Sequence, residues 1–92
     1  MKYLVSYDIT SDRARNKSSK ILEDYGVRIQ YSVFECVLNK SGLNELKKKL
    51  DELINKKCDS VIFLPICENC YKKKLFIGVE YSIKQLSFVN IE

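Results

Sequence analysis

The order in which two hydrophobic periods follow one another constrains this chain most. Lys2-Tyr3-Leu4-Val5-Ser6-Tyr7-Asp8-Ile9 is dominated by aromatic and β-branched residues, the composition of a pleated strand. Its alternation puts Leu4 and Ser6 on one face, and Tyr3, Val5 and Tyr7 on the other. Thr10-Ser11-Asp12 then supplies capping hydroxyls and an acid, and residues 12–25 fit a helix with Ala14, Ser18, Ile21, Leu22 and Tyr25 on one stripe. Gly26 stands where helices commonly end in the left-handed conformation, which predicts a left-handed glycine there. Residues 27–30 and 33–38 have strand character. Tyr31-Ser32 between them reads as a hairpin turn or as the bend of one bulged strand. The hairpin is favoured, because the chain must return for the next helix.

That helix opens at Ser41-Gly42 and carries Leu43, Leu46, Leu50, Leu53 and Ile54 at helical spacing, the clearest amphipathic pattern in the chain. Its outer face holds Lys47, Lys48, Lys49, Asp51, Glu52, Lys56 and Lys57, either a solvated face or a surface for a polyanion. Residues 60–64 read as a buried strand closed by Pro65, and residues 75–79 as a short strand after a turn at Cys67-Glu68-Asn69-Cys70. Residues 80–92 are weakly patterned, with a strand near 86–89 their best reading.

The resulting order, β-α-β-β-α-β-β, predicts an α+β fold: a ferredoxin-like βαββαβ unit with an extra C-terminal strand, an antiparallel sheet and both helices on one face. The other face then carries apolar residues with nothing over them, which predicts a homodimer packed sheet to sheet. The expectation is one domain over residues 1–92, with a core of about 1–79 and an extension at 80–92. A hydrophobic share of 46% against 30% charged excludes a disordered chain. No apolar run approaches the roughly 20 residues of a membrane span. The N-terminus has no export pattern either, so a cytoplasmic protein with reduced thiols at Cys36, Cys58, Cys67 and Cys70 is expected.

Asp8 closes the first strand at a strand-to-helix corner, where α/β architectures place ligands. The plainer reading is a turn aspartate bonded to its own backbone, and the segment alone leaves both open. The chain has no histidine, so hydrolytic chemistry would need carboxylates, a metal or a cysteine. Sixteen Lys and Arg against 12 acids give a charge of +4, a modest bias towards polyanions. Cys67 and Cys70 are half of a zinc site unless a second subunit supplies the rest, or simply a turn with two thiols.

One combination is more specific. Tyr7-Asp8-Ile9 is followed by Arg15 and Lys17, then by the run from Asp24-Tyr25-Gly26 through Arg28-Ile29-Gln30-Tyr31-Ser32-Val33-Phe34-Glu35-Cys36. Asp59-Ser60-Val61, then Leu64-Pro65-Ile66-Cys67-Glu68-Asn69-Cys70 and Ile77-Gly78 complete it. Over about residues 1–80 this resembles the second CRISPR-associated protein family, the small metal-dependent nuclease and assembly subunit of spacer acquisition. The resemblance implies a ferredoxin-like homodimer in which Asp8 of each chain faces its twin around magnesium, with manganese as a substitute. It implies catalytic roles for Asp8 and Tyr7. It also implies nucleic-acid contacts by Arg15, Lys17, Arg28, Ser32 and Phe34, although Lys17 stands where arginine is more usual and Phe34 reads rather as core than as a base-stacking ring. Lys48 and Lys49 would add a basic surface. The implied partners are the CRISPR integrase, RNA and double-stranded DNA, with residues 80–92 exchanging between subunits. The alternatives are a structural adaptor of the integration complex without physiological nuclease activity, and a toxin-type ribonuclease of the same fold. A plain RNA-binding module would need glycines among the strand aromatics, and Val33-Phe34-Glu35-Cys36 has none.

Overall fold

A computed structural model of the chain describes residues 1–78. Through them run β1 (Lys2–Asp8), α1 (Asp12–Glu23), β2 (Gly26–Gln30), β3 (Val33–Val37), α2 (Lys40–Leu53), β4 (Ser60–Ile66) and α3 (Glu68–Lys72). The first six elements come in the predicted order. The four strands form one antiparallel sheet, β2-β3-β1-β4, with β1 in the interior.

Local chemistry sets the helix starts. Ser11 caps α1 by accepting the Ala14 N–H at 3.2 Å, and Asn39 caps α2 by accepting the Gly42 N–H at 2.7 Å. Both helices cover the same face of the sheet. Leu22 of α1 and Leu46 and Leu50 of α2 pack with Val5 and Tyr7 of β1 and with Phe34 and Cys36 of β3 in one buried cluster. The alternation predicted for β1 is therefore realised: Val5 and Tyr7 are buried, whereas Leu4 and Ser6 lie on the other face.

That second face stays largely open. Leu4 is flanked by Glu35 and Leu64, and Ser6 by Val33 and Ile62, all directly opposite in register and so on the same side. Ile62 and Leu64 are 53% and 52% exposed. A groove of about 660 Å³ runs over this face between Leu4, Ile29, Leu64 and the first turn of α3. One end of it is closed by α3, where the Tyr71 hydroxyl donates to Glu35 at 2.9 Å and Lys2 lies over the Tyr71 ring at 3.8 Å.

Three expectations change. Gly26 is not left-handed, since the positive-φ glycine among the described residues is Gly78. Gly26 instead begins β2, where a Cβ would lie 2.2 Å from the Glu35 carbonyl oxygen and 2.7 Å from Cys36 Sγ. The glycine is set by close approach to β3, not by a helix cap. The favoured hairpin turn at 31–32 is present and joins two separate strands, with a bulge in β2 between Arg28 and Gln30. Among the described residues β4 is an edge strand rather than a buried one, and Pro65 lies inside it opposite Tyr3, because an edge tolerates a residue with no N–H. Finally, the Cys67–Cys70 turn is the start of α3, and residues 75–78 form no strand: Leu75 and Ile77 are 93% and 99% exposed. Leucine and isoleucine at alternate positions give the strand pattern, but β4 carries no paired neighbour on its outer edge among the described residues. The expectations for residues 79–92, the exchange with a partner included, lie outside the described residues.

Gly26→Ala should destabilise the fold by about 2 kcal/mol or more, because the new methyl meets backbone rather than a movable side chain. Urea unfolding checks this; an unchanged midpoint would mean that β2 can shift away from β3 at no cost.

Candidate functional site

Asp8 is the last residue of β1 and is exposed. By alternation its side chain shares the open face with Leu4 and Ser6, and in register it stands opposite Ser60. Three contacts hold the corner around it. The Tyr7 N–H donates to the Ser32 carbonyl at 3.1 Å, which ties the β2–β3 turn to the end of β1. Arg15 Nη1 donates to the Ile9 carbonyl at 2.9 Å and Nη2 pairs with Asp12, so the arginine anchors the backbone just past Asp8.

The third contact is one that sequence reasoning missed. Asp59, buried at the foot of β4, accepts the Thr10 N–H at 3.0 Å and the Thr10 hydroxyl at 2.9 Å on Oδ1, and the Asn55 N–H at 2.9 Å on Oδ2. These bonds, those from the Thr10 and Asn55 amides foremost, hold its carboxyl down at about 2. One carboxylate thus joins the loop after β1 to the loop before β4. The available signal is Asn55 and Asp59 bracketing a short polar loop before a strand, the residue types that bond neighbouring backbone.

The predicted residues separate into groups. Asp8, the Ser32 turn and Arg15 share one end of the sheet. Tyr7 is only 5% exposed and its ring stacks on Phe34 at 6.4 Å, on the helix side of the sheet and away from the side chain of Asp8. It packs in the core beneath the corner that carries Asp8. Phe34 is 0% exposed, which puts it in the core, as its residue type favours, and not in the nucleic-acid contact that the resemblance implies. Arg28 lies over the Phe34 ring at 5.1 Å, bonds Ser19 and donates to the Tyr31 carbonyl at 3.3 Å, which joins β2 to α1 and to the hairpin turn. Lys17 is exposed on α1, near Arg13, Glu52 and Asp59. Lys48 and Lys49 are exposed on α2, in the helix layer on the other side of the sheet from Asp8. Lys49 donates to the Tyr25 hydroxyl at 2.9 Å, and this bond raises its pKa.

Among the described residues no three His, Cys, Asp or Glu side chains gather as a metal site. One chain offers magnesium a single hard oxygen group, Asp8, which is too few for a cation that prefers six oxygen ligands. The residues fit that ion only when the site is doubled.

Comparison with known proteins identifies the family. The sequence profile described as "CRISPR associated protein Cas2" matches residues 1–74. The chain belongs to the Cas2 family. The CRISPR-associated endoribonuclease Cas2 3 of Synechocystis sp. is 50% identical over 64 residues, spanning 70% of this chain and 70% of its own. Streptococcus pyogenes Cas2, in a crystal structure at pH 6.5, superposes with a TM-score of 0.78 at 30% identity, over 85% of this chain and 100% of that one. A chain of a partial Cas6-RT-Cas1–Cas2 complex superposes with a TM-score of 0.72 at 28% identity, over 83% and 89%. Among the described residues of this Cas2 family member, no helix is long and apolar enough to cross a membrane.

Because the folded-state carboxyl of Asp59 titrates at about 2 against an ordinary 3.8, its ionised form stabilises the fold above about pH 4. That contribution is lost as the pH falls through the window from about 4 to about 2. Asp59→Asn should lower the melting temperature at neutral pH and flatten its decline across that window. Parallel melting curves for the two proteins, measured by circular dichroism against pH, would contradict the clamp.

Proposed function

We propose that this protein is a CRISPR-associated, magnesium-dependent endonuclease that cleaves RNA, and double-stranded DNA as well, in spacer acquisition. In this reading the ferredoxin-like unit works as a homodimer joined through its open sheet face. The observation that carries the proposal is that Asp8 projects from the same face as the exposed apolar residues Ile62 and Leu64. Covering that apolar face with a second copy also brings two copies of Asp8 towards a shared axis. The endoribonuclease names of relatives and the Cas1–Cas2 assembly of one structural neighbour support the pathway.

The two Asp8 carboxylates would hold the cation. Bound magnesium supplies positive charge against the scissile phosphate and acidifies a water, the help that a histidine-free site lacks. The protein groups do the rest. Arg15 and Asp59 fix the backbone on either side of the corner, so Asp8 is held in place before substrate arrives. Lys17 on α1 stands exposed, where it can meet phosphates as the strand approaches. Arg28 bonds Ser19 and the Tyr31 carbonyl, so its first role is to hold the Tyr31-Ser32 turn.

A second reading gives the dimer a purely architectural role, bridging copies of the integrase and holding duplex DNA along α2. The observation in its favour is the exposed lysine run Lys47-Lys48-Lys49, remote from Asp8 across the sheet. The two readings separate by mutation. Asp8→Ala should reduce magnesium-dependent cleavage of single-stranded RNA to background, as should a chelator, while the dimer and its binding of duplex DNA persist. Lys48→Glu with Lys49→Glu should leave cleavage of short RNA intact. It should also weaken duplex binding and make its logarithmic salt dependence shallower by roughly one for each phosphate that is no longer neutralised. Gel-shift titrations at several salt concentrations and a cleavage assay provide both readouts. Full activity in Asp8→Ala would remove the nuclease reading.

A further inference from the structure

The described residues hold four free cysteines in three different settings. Cys36 is in the core, where burial first and the Glu35 charge second push its thiol up to about 11, too high to react at neutral pH. Cys58 is exposed beside Thr10 at the Asp8 end of the sheet. Cys67 and Cys70 are both exposed at the other end. Cys67 follows Ile66, which pairs with Lys2, so about 20 Å of strand separates the pair from Asp8.

Helix geometry brings this pair together. Cys67 is the N-cap of α3 and Cys70 the third residue within it, the two positions whose side chains reach each other's backbone N–H in a capping box. Here Cys67 Sγ accepts the Cys70 N–H at 3.5 Å. Sulfur is a weak acceptor, and the chain caps α1 and α2 with the oxygens of Ser11 and Asn39. A thiol at this cap, with a second thiol in the same turn, is a poor choice for stability and an apt one for redox chemistry. Both thiols are exposed, where a small disulfide can reach them.

The geometry points to a thiol–disulfide exchange site at Cys67 and Cys70 that takes low-molecular-weight disulfides. Cys67 thiolate attacks one sulfur of the incoming disulfide, forms a mixed disulfide and expels the other half as a thiolate. Cys70 then loses its proton and attacks the Cys67 sulfur, which closes an intramolecular disulfide and expels the second half as a thiol. The two electrons lost by the protein reduce the small disulfide. The order of attack follows from the contacts: the Cys70 N–H lowers the pKa of Cys67, whereas the bond to Cys67 raises that of Cys70. The site does not depend on Asp8, and it borders the open sheet face, because Cys67 and Cys70 line the α3 end of the groove there.

The test uses the full chain with Cys58→Ser, which leaves three thiols, treated with oxidised glutathione. Two of the three should be lost to thiol titration, a Cys67–Cys70 disulfide should appear in the peptide map, and dithiothreitol should restore both. Adding Cys70→Ser should trap glutathione on Cys67, whereas adding Cys67→Ser should slow modification about tenfold. Three thiols that remain titratable would overturn the assignment. So would glutathione that stays attached to the Cys58→Ser protein without ring closure, equal rates in the two double variants, or a pair masked by zinc chloride alone.

Discussion

The interior strand β1 is hydrogen-bonded along both edges, to β3 on one side and to β4 on the other. Two ladders fix its register independently. A slip of one residue would carry Val5 and Tyr7 out of the core and bury Leu4, Ser6 and Asp8 instead. The position of the one acid at the end of β1 is therefore a consequence of core packing. The functional face is defined by the residues that fail to pack as much as by those that do.

The corner after β1 needs a further restraint, because its backbone leaves the sheet at Ile9 and enters α1 at Asp12. Asp59 supplies it from the far side of the chain, with three donors converging on one buried carboxylate. A carboxylate that accepts several N–H and O–H bonds stays ionised and rigid. Arg15 restrains the same corner from within α1. Asp8 is thereby held without itself being used in the scaffold, the arrangement that leaves an exposed carboxylate for a ligand.

Much of this is legible in the sequence. The leucines of α2, the alternation of β1 and the Ser11 start of α1 are local patterns with one structural solution each. Asp8 stands out because a strand ends on it. What escapes is non-local. Asp59 takes its meaning from Thr10, a partner 49 residues away. Glycine suits a helix end, but at Gly26 the cause is a neighbouring strand pressed against it. Phe34 and Tyr7 belong to a motif, and the motif does not say which of its members face inward. β4 reads as buried because Val61, Ile62, Phe63 and Leu64 are all apolar, although only alternate members pack under the helices and the other two face outward. That outward pair is the best physical reason to expect a second subunit.

The central claim is that one carboxylate per chain becomes a cation site by two-fold symmetry. Calorimetric titration of magnesium, with the oligomeric state followed by sedimentation, tests it most directly. The account predicts one tightly held cation for every two chains, lost in Asp8→Ala while the dimer remains. One cation per chain, binding unchanged in Asp8→Ala, or a strictly monomeric protein would contradict it.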